Sequence, residues 1–383
     1  MPHLHKALSL AVSFVQRLLI DSCHIKNNIY EKYFVAALII LSSCTKDAVI
    51  DMTPINATGE ILFISRRISN SADWQMFIMN ADGTNQRAVS NNLVRCSPPV
   101  LSNGKTKIAF TTYDNNFDYN LYVIDIDGQN QKFLSKGKQF CGSPIWSPDD
   151  NRIAFVKNDN IVGGTNDIYT IKIDGSNELK LTNQNDNYSP QYFLDKNSII
   201  FSSSNNTWTG IYKMNLDGNN KILLTPQNKS YGDPKISPSG SMIAITSNDL
   251  NGSQIFVMNS NGSNLRQLTF TVSSRIYPGT PPDGNCNPTW SPIENKLAYV
   301  SYENGSPDIF IINSNGTGNK RLTDTPMRDE NPIWTKDGNY IIFSSNRNPN
   351  VASQIYIMRN EGQLQMPLTN YLGDNIYPTF LDR

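Results

Sequence analysis

Seven glycines recur along this 383-residue chain, at Gly83, Gly128, Gly175, Gly218, Gly262, Gly316 and Gly362. An aromatic residue stands six positions before each, in the series Phe77, Tyr122, Tyr169, Tyr212, Phe256, Phe310 and Tyr356. Six positions after each comes an aliphatic residue, in the series Val89, Leu134, Leu181, Leu224, Leu268, Leu322 and Leu368, always followed by Ser or Thr. The steps between glycines are 45, 47, 43, 44, 54 and 46 residues. A period in the forties built of short β-branched and aromatic runs predicts a β-propeller, with one four-stranded blade per repeat.

The repeat from Pro144 to Thr182 shows how a blade is written. Pro144-Ile145-Trp146 is followed by the turn Ser147-Pro148-Asp149-Asp150 and then by Ile153-Ala154-Phe155-Val156. After a polar stretch come Ile168-Tyr169-Thr170-Ile171, the turn Asp174-Gly175, and Leu179-Lys180-Leu181-Thr182. Asp-Gly or Asn-Gly closes the third strand in every repeat except the last, which has Glu361-Gly362. Glycine suits a tight hairpin because it adopts positive φ without a Cβ penalty. A second series runs out of phase: Pro98, Pro144, Pro190, Pro234, Pro288, Pro332 and Pro378, each expected to begin a first strand. The chain therefore enters in mid-blade and leaves after a first strand. Pairing of Tyr377-Pro378-Thr379-Phe380 with Ile61-Leu62-Phe63-Ile64 would close the ring and remove two sheet edges. The expectation is an all-β, seven-bladed propeller over residues 59–383, closed by its C-terminal strand.

The N-terminal segment has a different character. Lys32 precedes the apolar run Phe34-Val35-Ala36-Ala37-Leu38-Ile39-Ile40-Leu41, and Ser42-Ser43-Cys44 follows. A basic residue, a short apolar run and small residues describe a secretory leader, and the run is too short to span a bilayer. Leu41-Ser42-Ser43-Cys44 resembles the bacterial lipobox, which implies a leader over residues 1–43 and lipid on Cys44. Residues 44–58 would then be a short linker. Thr45 in place of Asp after the cysteine implies, by the same resemblance, an outer-membrane lipoprotein facing the periplasm or the cell surface. The anchor would tie an otherwise soluble, monomeric protein to the membrane. With Lys+Arg 33 against Asp+Glu 33, the chain is neutral, which argues against nucleic acid as a partner. Cys96, Cys141 and Cys286 remain beyond the leader; a Cys96–Cys141 bridge is conceivable in an oxidising compartment, but thiols are preferred.

All three histidines, His3, His5 and His24, precede Cys44. A mature chain starting there would have no Ser-His-Asp or Cys-His catalysis and no histidine-ligated metal. Neither a Gly-x-Ser-x-Gly elbow nor a P-loop or dinucleotide motif appears. No cofactor is expected. Asp125-x-Asp127-Gly128 looks like the start of a calcium loop but reads better as a hairpin turn, because the other repeats share the turn with few carboxylates.

The blade Pro144-Ile145-Trp146-Ser147-Pro148-Asp149…Asp174-Gly175…Leu181-Thr182 resembles the WD-repeat-like blade of the TolB family. Pro288-Thr289-Trp290-Ser291-Pro292 and Pro332-Ile333-Trp334-Thr335-Lys336-Asp337-Gly338 repeat it closely. The resemblance covers residues 59–383 and is specific for fold. TolB itself has an added N-terminal α/β domain and one blade fewer, so a TolB-like propeller lipoprotein is expected rather than a true TolB. Such blades also serve prolyl-oligopeptidase-type hydrolases and pectate-fragment lyases, which makes the resemblance weak for function.

In a propeller the Ser-Pro-Asp-Asp and Asp-Gly turns share one end, and the blade crossings share the other with the second-to-third-strand loops. The second end carries the length variation and the unpatterned aromatics. The candidate ligand-binding residues are there: Arg95, Phe140, Tyr188, Asp233, Asp329 and Tyr377 at the channel mouth, Trp208 on an outer loop, and Tyr277 in the insertion of the longest repeat. Aromatics among Asn and Ser suit peptide or glycan recognition. The expected function is non-enzymatic: a lipid-anchored envelope scaffold binding a protein or peptide at the mouth. A glycan-binding propeller is the alternative, and a carboxylate-based glycosidase or lyase using Asp329-Glu330 or Asp233 is a more distant one.

Overall fold

The computed structural model describes residues 55–381 apart from 68–73, 90–97, 114–117, 138–139, 159–163, 206, 250–251 and 272–283. Cys44, Arg95, Cys96 and Tyr277 therefore lie outside the described residues. Within them the chain forms seven antiparallel sheets of four strands, one per repeat. The first blade pairs the C-terminal strand Asn375–Leu381 with Glu60–Ser65, then Gln75–Asn80 and Arg87–Ala88. Its register, Glu60 opposite Leu381 and Ile61 opposite Phe380, is the closure expected from the phase of the two repeat series. Blades two to seven follow in chain order over residues 100–137, 140–180, 186–223, 230–267, 285–321 and 329–367.

Seven hydrophobic clusters hold the ring together, and each spans two neighbouring blades. Ile61 and Phe63 pack with Ile342, Ile355 and Ile357 of the seventh blade, whereas Leu62 and Ile64 pack with Ile108 and Phe110 of the second. Alternate residues of one strand thus serve opposite interfaces. Because both faces are buried, these strands read as continuous apolar runs rather than as alternating ones. The repeat aromatics stack on a strand neighbour, Phe77 on Phe63, Tyr122 on Phe110 and Tyr212 on Phe201, at ring distances of 5.9, 5.7 and 6.0 Å. The trailing Val or Leu always joins the cluster shared with the next blade, as Leu181 does with Tyr192, Ile199 and Phe201.

The prolines occupy a position different from the expected one. Six first strands begin three or four residues before their proline, at Phe140, Asp186, Ser230, Asn285, Asp329 and Asn375. The proline sits at a bulge inside the strand, as in the register breaks between Tyr188 and Gln191 and between Gly232 and Lys235. A first strand lines the channel with one edge unpaired, so a missing N–H at a bulge breaks no ladder bond. The residue just before each of these prolines is left-handed: Ser143, Ser189, Asp233, Asn287, Asn331 and Tyr377, with φ of 50°, 49°, 50°, 50°, 55° and 53°.

Candidate functional site

The two ends of the ring are separated by hydrogen bonding as the sequence suggests. At one end Ile126 N–H donates to Thr106, Ile173 N–H to Asn151 and Ser314 N–H to Asn295, joining the third-strand turn to the first turn of the same blade. At the other end Asn187 N–H donates to Asn166 and Asp329 N–H to Pro307, joining each crossing to the loop of the preceding blade.

The expected mouth residues divide into three environments. Tyr188 and Tyr377 are 37% and 38% exposed, and Asp233 is exposed with its carboxylate accepting from the Ser189 hydroxyl at 2.9 Å. Burial of its ring pushes the Tyr188 hydroxyl above its ordinary range. Phe140 and Trp208 are half-buried in packing of their own. Phe140 lies 5.7 Å from the Tyr119 ring, and Trp208 stacks on Tyr212 at 6.4 Å while covering Gly210, where a Cβ would stand 2.3 Å from the indole. Asp329 is fully buried, which removes it from the surface of the mouth. Its carboxylate accepts from Arg347 Nη2 at 3.0 Å and from the Thr325 hydroxyl at 3.2 Å. The same position in other blades is a buried amide: Asn187, Asn285 and Asn375 are each 0% exposed. Asn285 and Asn375 donate to the equivalent glutamines Gln254 and Gln354 at 3.1 and 3.0 Å. This position stitches one blade to the next, and a buried polar group there is satisfied by its neighbour.

The channel itself holds a cavity of about 580 Å³. Its wall comes from the first strands of five blades together with Pro98, and it extends to Leu194 and Pro238 beside the first turns. Of the expected residues that are described only Tyr377 lines it, so the described wall lies toward the turn end and meets the crossing end at Tyr377. Sequence reasoning did not single out Lys235, Asn287 or Asn331, which also line it. A signal for Lys235 was present. The residue two after each proline faces the blade interface, so strand alternation turns the residue one after the proline to the channel.

The remaining sequence features have plain structural roles. Asp125 bonds Lys107 and Asn130, and Asp127 accepts from the N–H of Gln129, as a hairpin turn requires. Cys141 is buried and Cys286 half-buried. Among the described residues no group of three or more His, Cys, Asp or Glu is arranged to hold a metal.

Known proteins share this architecture. The family described as TolB beta propeller domain matches residues 56–286 and 272–381. The Tol-Pal system protein TolB of Alcanivorax borkumensis is 36% identical over 62 residues, 16% of this chain and 14% of its own length. The chain thus matches about a seventh of that relative. Among solved structures, TolB from Acinetobacter baumannii aligns with a TM-score of 0.53 at 19% identity, over 87% of this chain and 89% of its own. The β-propeller domain of the Trilobed protease from Pyrococcus furiosus, described by an open velcro topology, aligns at 0.61 and 12% identity over 82% and 96%. These likenesses are of fold; in the chain described here the C-terminal strand pairs with the first blade.

Proposed function

Because the chain belongs to the TolB β-propeller domain family, we propose that it is a lipid-anchored binding scaffold of the cell envelope, taking a protein or peptide partner at its channel. The cavity of about 580 Å³ bordered by Tyr377 carries this reading. Its volume suits a short segment of a partner. Tyr377 holds φ at +53°, a conformation that costs an aromatic residue energy and recurs where ligands are clamped. A ring closed by seven packed interfaces presents such a site already formed, which lowers the ordering cost of binding. The name of the Alcanivorax relative, a Tol-Pal system protein, supports an envelope setting. The protease propeller among the fold neighbours leaves catalysis to be argued from residues, and Asp329, the foremost carboxylate for that role, is buried against Arg347. Asn287 and Asn331, on the same cavity wall as Tyr377, favour a glycan as the second reading.

The test is capture from native envelopes with residues 45–383, wild type beside a Tyr188→Ala/Tyr377→Asn variant. Asn is at ease in the left-handed region, so the variant keeps the fold. A protein held by the wild type and lost by the variant is the expected result. Equal capture by two proteins of equal melting temperature rejects the mouth, and capture of polysaccharide alone selects the glycan. Intact-mass measurement of the membrane-extracted protein tests the anchor; an unmodified Cys44 rejects it.

A further inference from the structure

Among the described residues that line the channel cavity, Lys235 is the one with a charge. It follows Pro234 directly, on the channel-facing side of its strand, and its carbonyl accepts from Trp290 Nε1 at 2.8 Å, which pins the backbone. The corresponding residues of the flanking blades are Gln191 and Thr289, both on the cavity wall, so hydrogen-bonding side chains stand on either side of the ammonium. The same position is Ile333 in the seventh blade and Thr379 in the first, both also on the cavity wall. At this position the wall is thus polar apart from Ile333, and Lys235 carries its one charge among the described residues.

Among the described residues Lys235 makes no ion pair. Asp233, two positions earlier on the same strand, is the one acid that acts on it, and that carboxylate is exposed and engaged by Ser189. Burial holds the Lys235 ammonium below its ordinary range, with Asp233 opposing. A half-buried cation without a contacting partner is only partly compensated, and an anion entering the channel would supply the partner.

We propose that the channel is a carboxylate site built on Lys235, occupied by a carboxylate of the partner segment. This rests on the reading of the channel as the place where a partner binds. One ammonium, with no other charge among the described lining residues, matches one negative charge. The carboxylate comes from a chain terminus or from an Asp or Glu side chain, and the peptide chemistry chosen below separates the two. Gln191 and Thr289 supply donors for the second oxygen, and Ile333 meets apolar atoms of the same segment.

The experiment measures binding of N-terminally labelled random hexapeptide pools by fluorescence polarisation. The pools end in a free acid or an amide, and each is made with and without Asp and Glu. The proteins are wild type, Lys235→Met and Lys235→Arg. Pools carrying a carboxylate should bind the wild type about tenfold more tightly than the amide pool lacking acids. That preference should vanish in Lys235→Met and persist in Lys235→Arg. Lys235→Met should melt no lower than wild type, because it removes an only partly compensated charge. Equal binding of all pools, or a preference that survives in Lys235→Met, overturns the carboxylate assignment and leaves the peptide reading standing. Failure of every pool to bind overturns the peptide reading and this assignment with it.

Discussion

Gly218 has φ +83°, and a Cβ there would stand 2.7 Å from the carbonyl oxygen of Leu181 in the preceding blade. Gly83 and Gly262 meet the carbonyls of Leu368 and Leu224 at the same 2.7 Å. The glycine and aliphatic series of the repeat are therefore two halves of one contact between blades. Gly305 has φ +88° with nothing within 4 Å. It isolates the backbone cost. Gly305→Ala should lose about 1–2 kcal/mol and Gly218→Ala at least about 1 kcal/mol more in urea unfolding; equal losses would mean that the turn moves away freely. The Thr that follows five of these Leu residues acts locally. Thr182, Thr269 and Thr323 accept from the N–H groups of Ile168, Ile255 and Ile309, each at 2.9 Å. Thr323 also bonds Asp308, a fully buried carboxylate that pairs with Arg321 at 2.7 Å. Burial pushes the Asp308 carboxyl up to about 6, against the pull of Arg321. A carboxyl raised in the folded state favours folding when protonated, so its contribution is present below the ordinary value of 3.8 and is lost as pH rises through about 6. The stability of wild type minus that of Asp308→Asn should therefore fall from pH 4 to pH 6 and level off above; a flat or rising difference rejects the shift.

At the scale of the strand, the order of elements was legible because the turns punctuate it. Asp82, Asp127, Asp174, Asp217, Asn261 and Asn315 each accept from the N–H two residues on, which explains Asp or Asn before the repeat glycine. The fourth strand of most blades is only two residues long, as in Leu179–Lys180 and Ile222–Leu223, which blunts the outer edge of the ring. Where the first strands begin was not legible. Proline reads as a boundary, yet the channel-side edge of a propeller strand tolerates it mid-strand at a bulge. The left-handed residue before it was equally hidden, since Ser143, Asp233 and Tyr377 have no common side-chain chemistry. Tyr377 keeps that conformation because Asn375, two residues earlier, is anchored at 0% exposure to Ser65 and Gln354, and the closing strand cannot shift.

For the whole molecule, closure is the decisive event. The strand Asn375–Leu381 supplies the first blade with its channel-side member, and Arg66 pairs with Asp374 across the seam. Arg67 adds to it by lying 3.8 Å from the Tyr371 ring centroid and 4.4 Å from that of Phe77. Removal of residues 372–383 should expose the first blade and open the ring. A lower melting temperature and a larger hydrodynamic radius are expected; a truncated protein that melts and elutes like the intact one would refute closure by this strand. The sequence by itself determined the number of blades, the order of strands and the manner of closure. Each is carried by local chemistry repeated at a fixed period: glycine for positive φ, Asp or Asn for the turn, and apolar runs for strands buried on both faces. Only the tertiary structure decided which mouth residues meet solvent. Asp329 and Tyr377 lie near equivalent places in their repeats, yet one is sealed between blades by Arg347 and the other borders the channel. The structure likewise decided where the cavity lies and that Lys235 stands in it. Burial and electrostatic environment depend on what seven blades bring to one axis, and no single repeat contains that information.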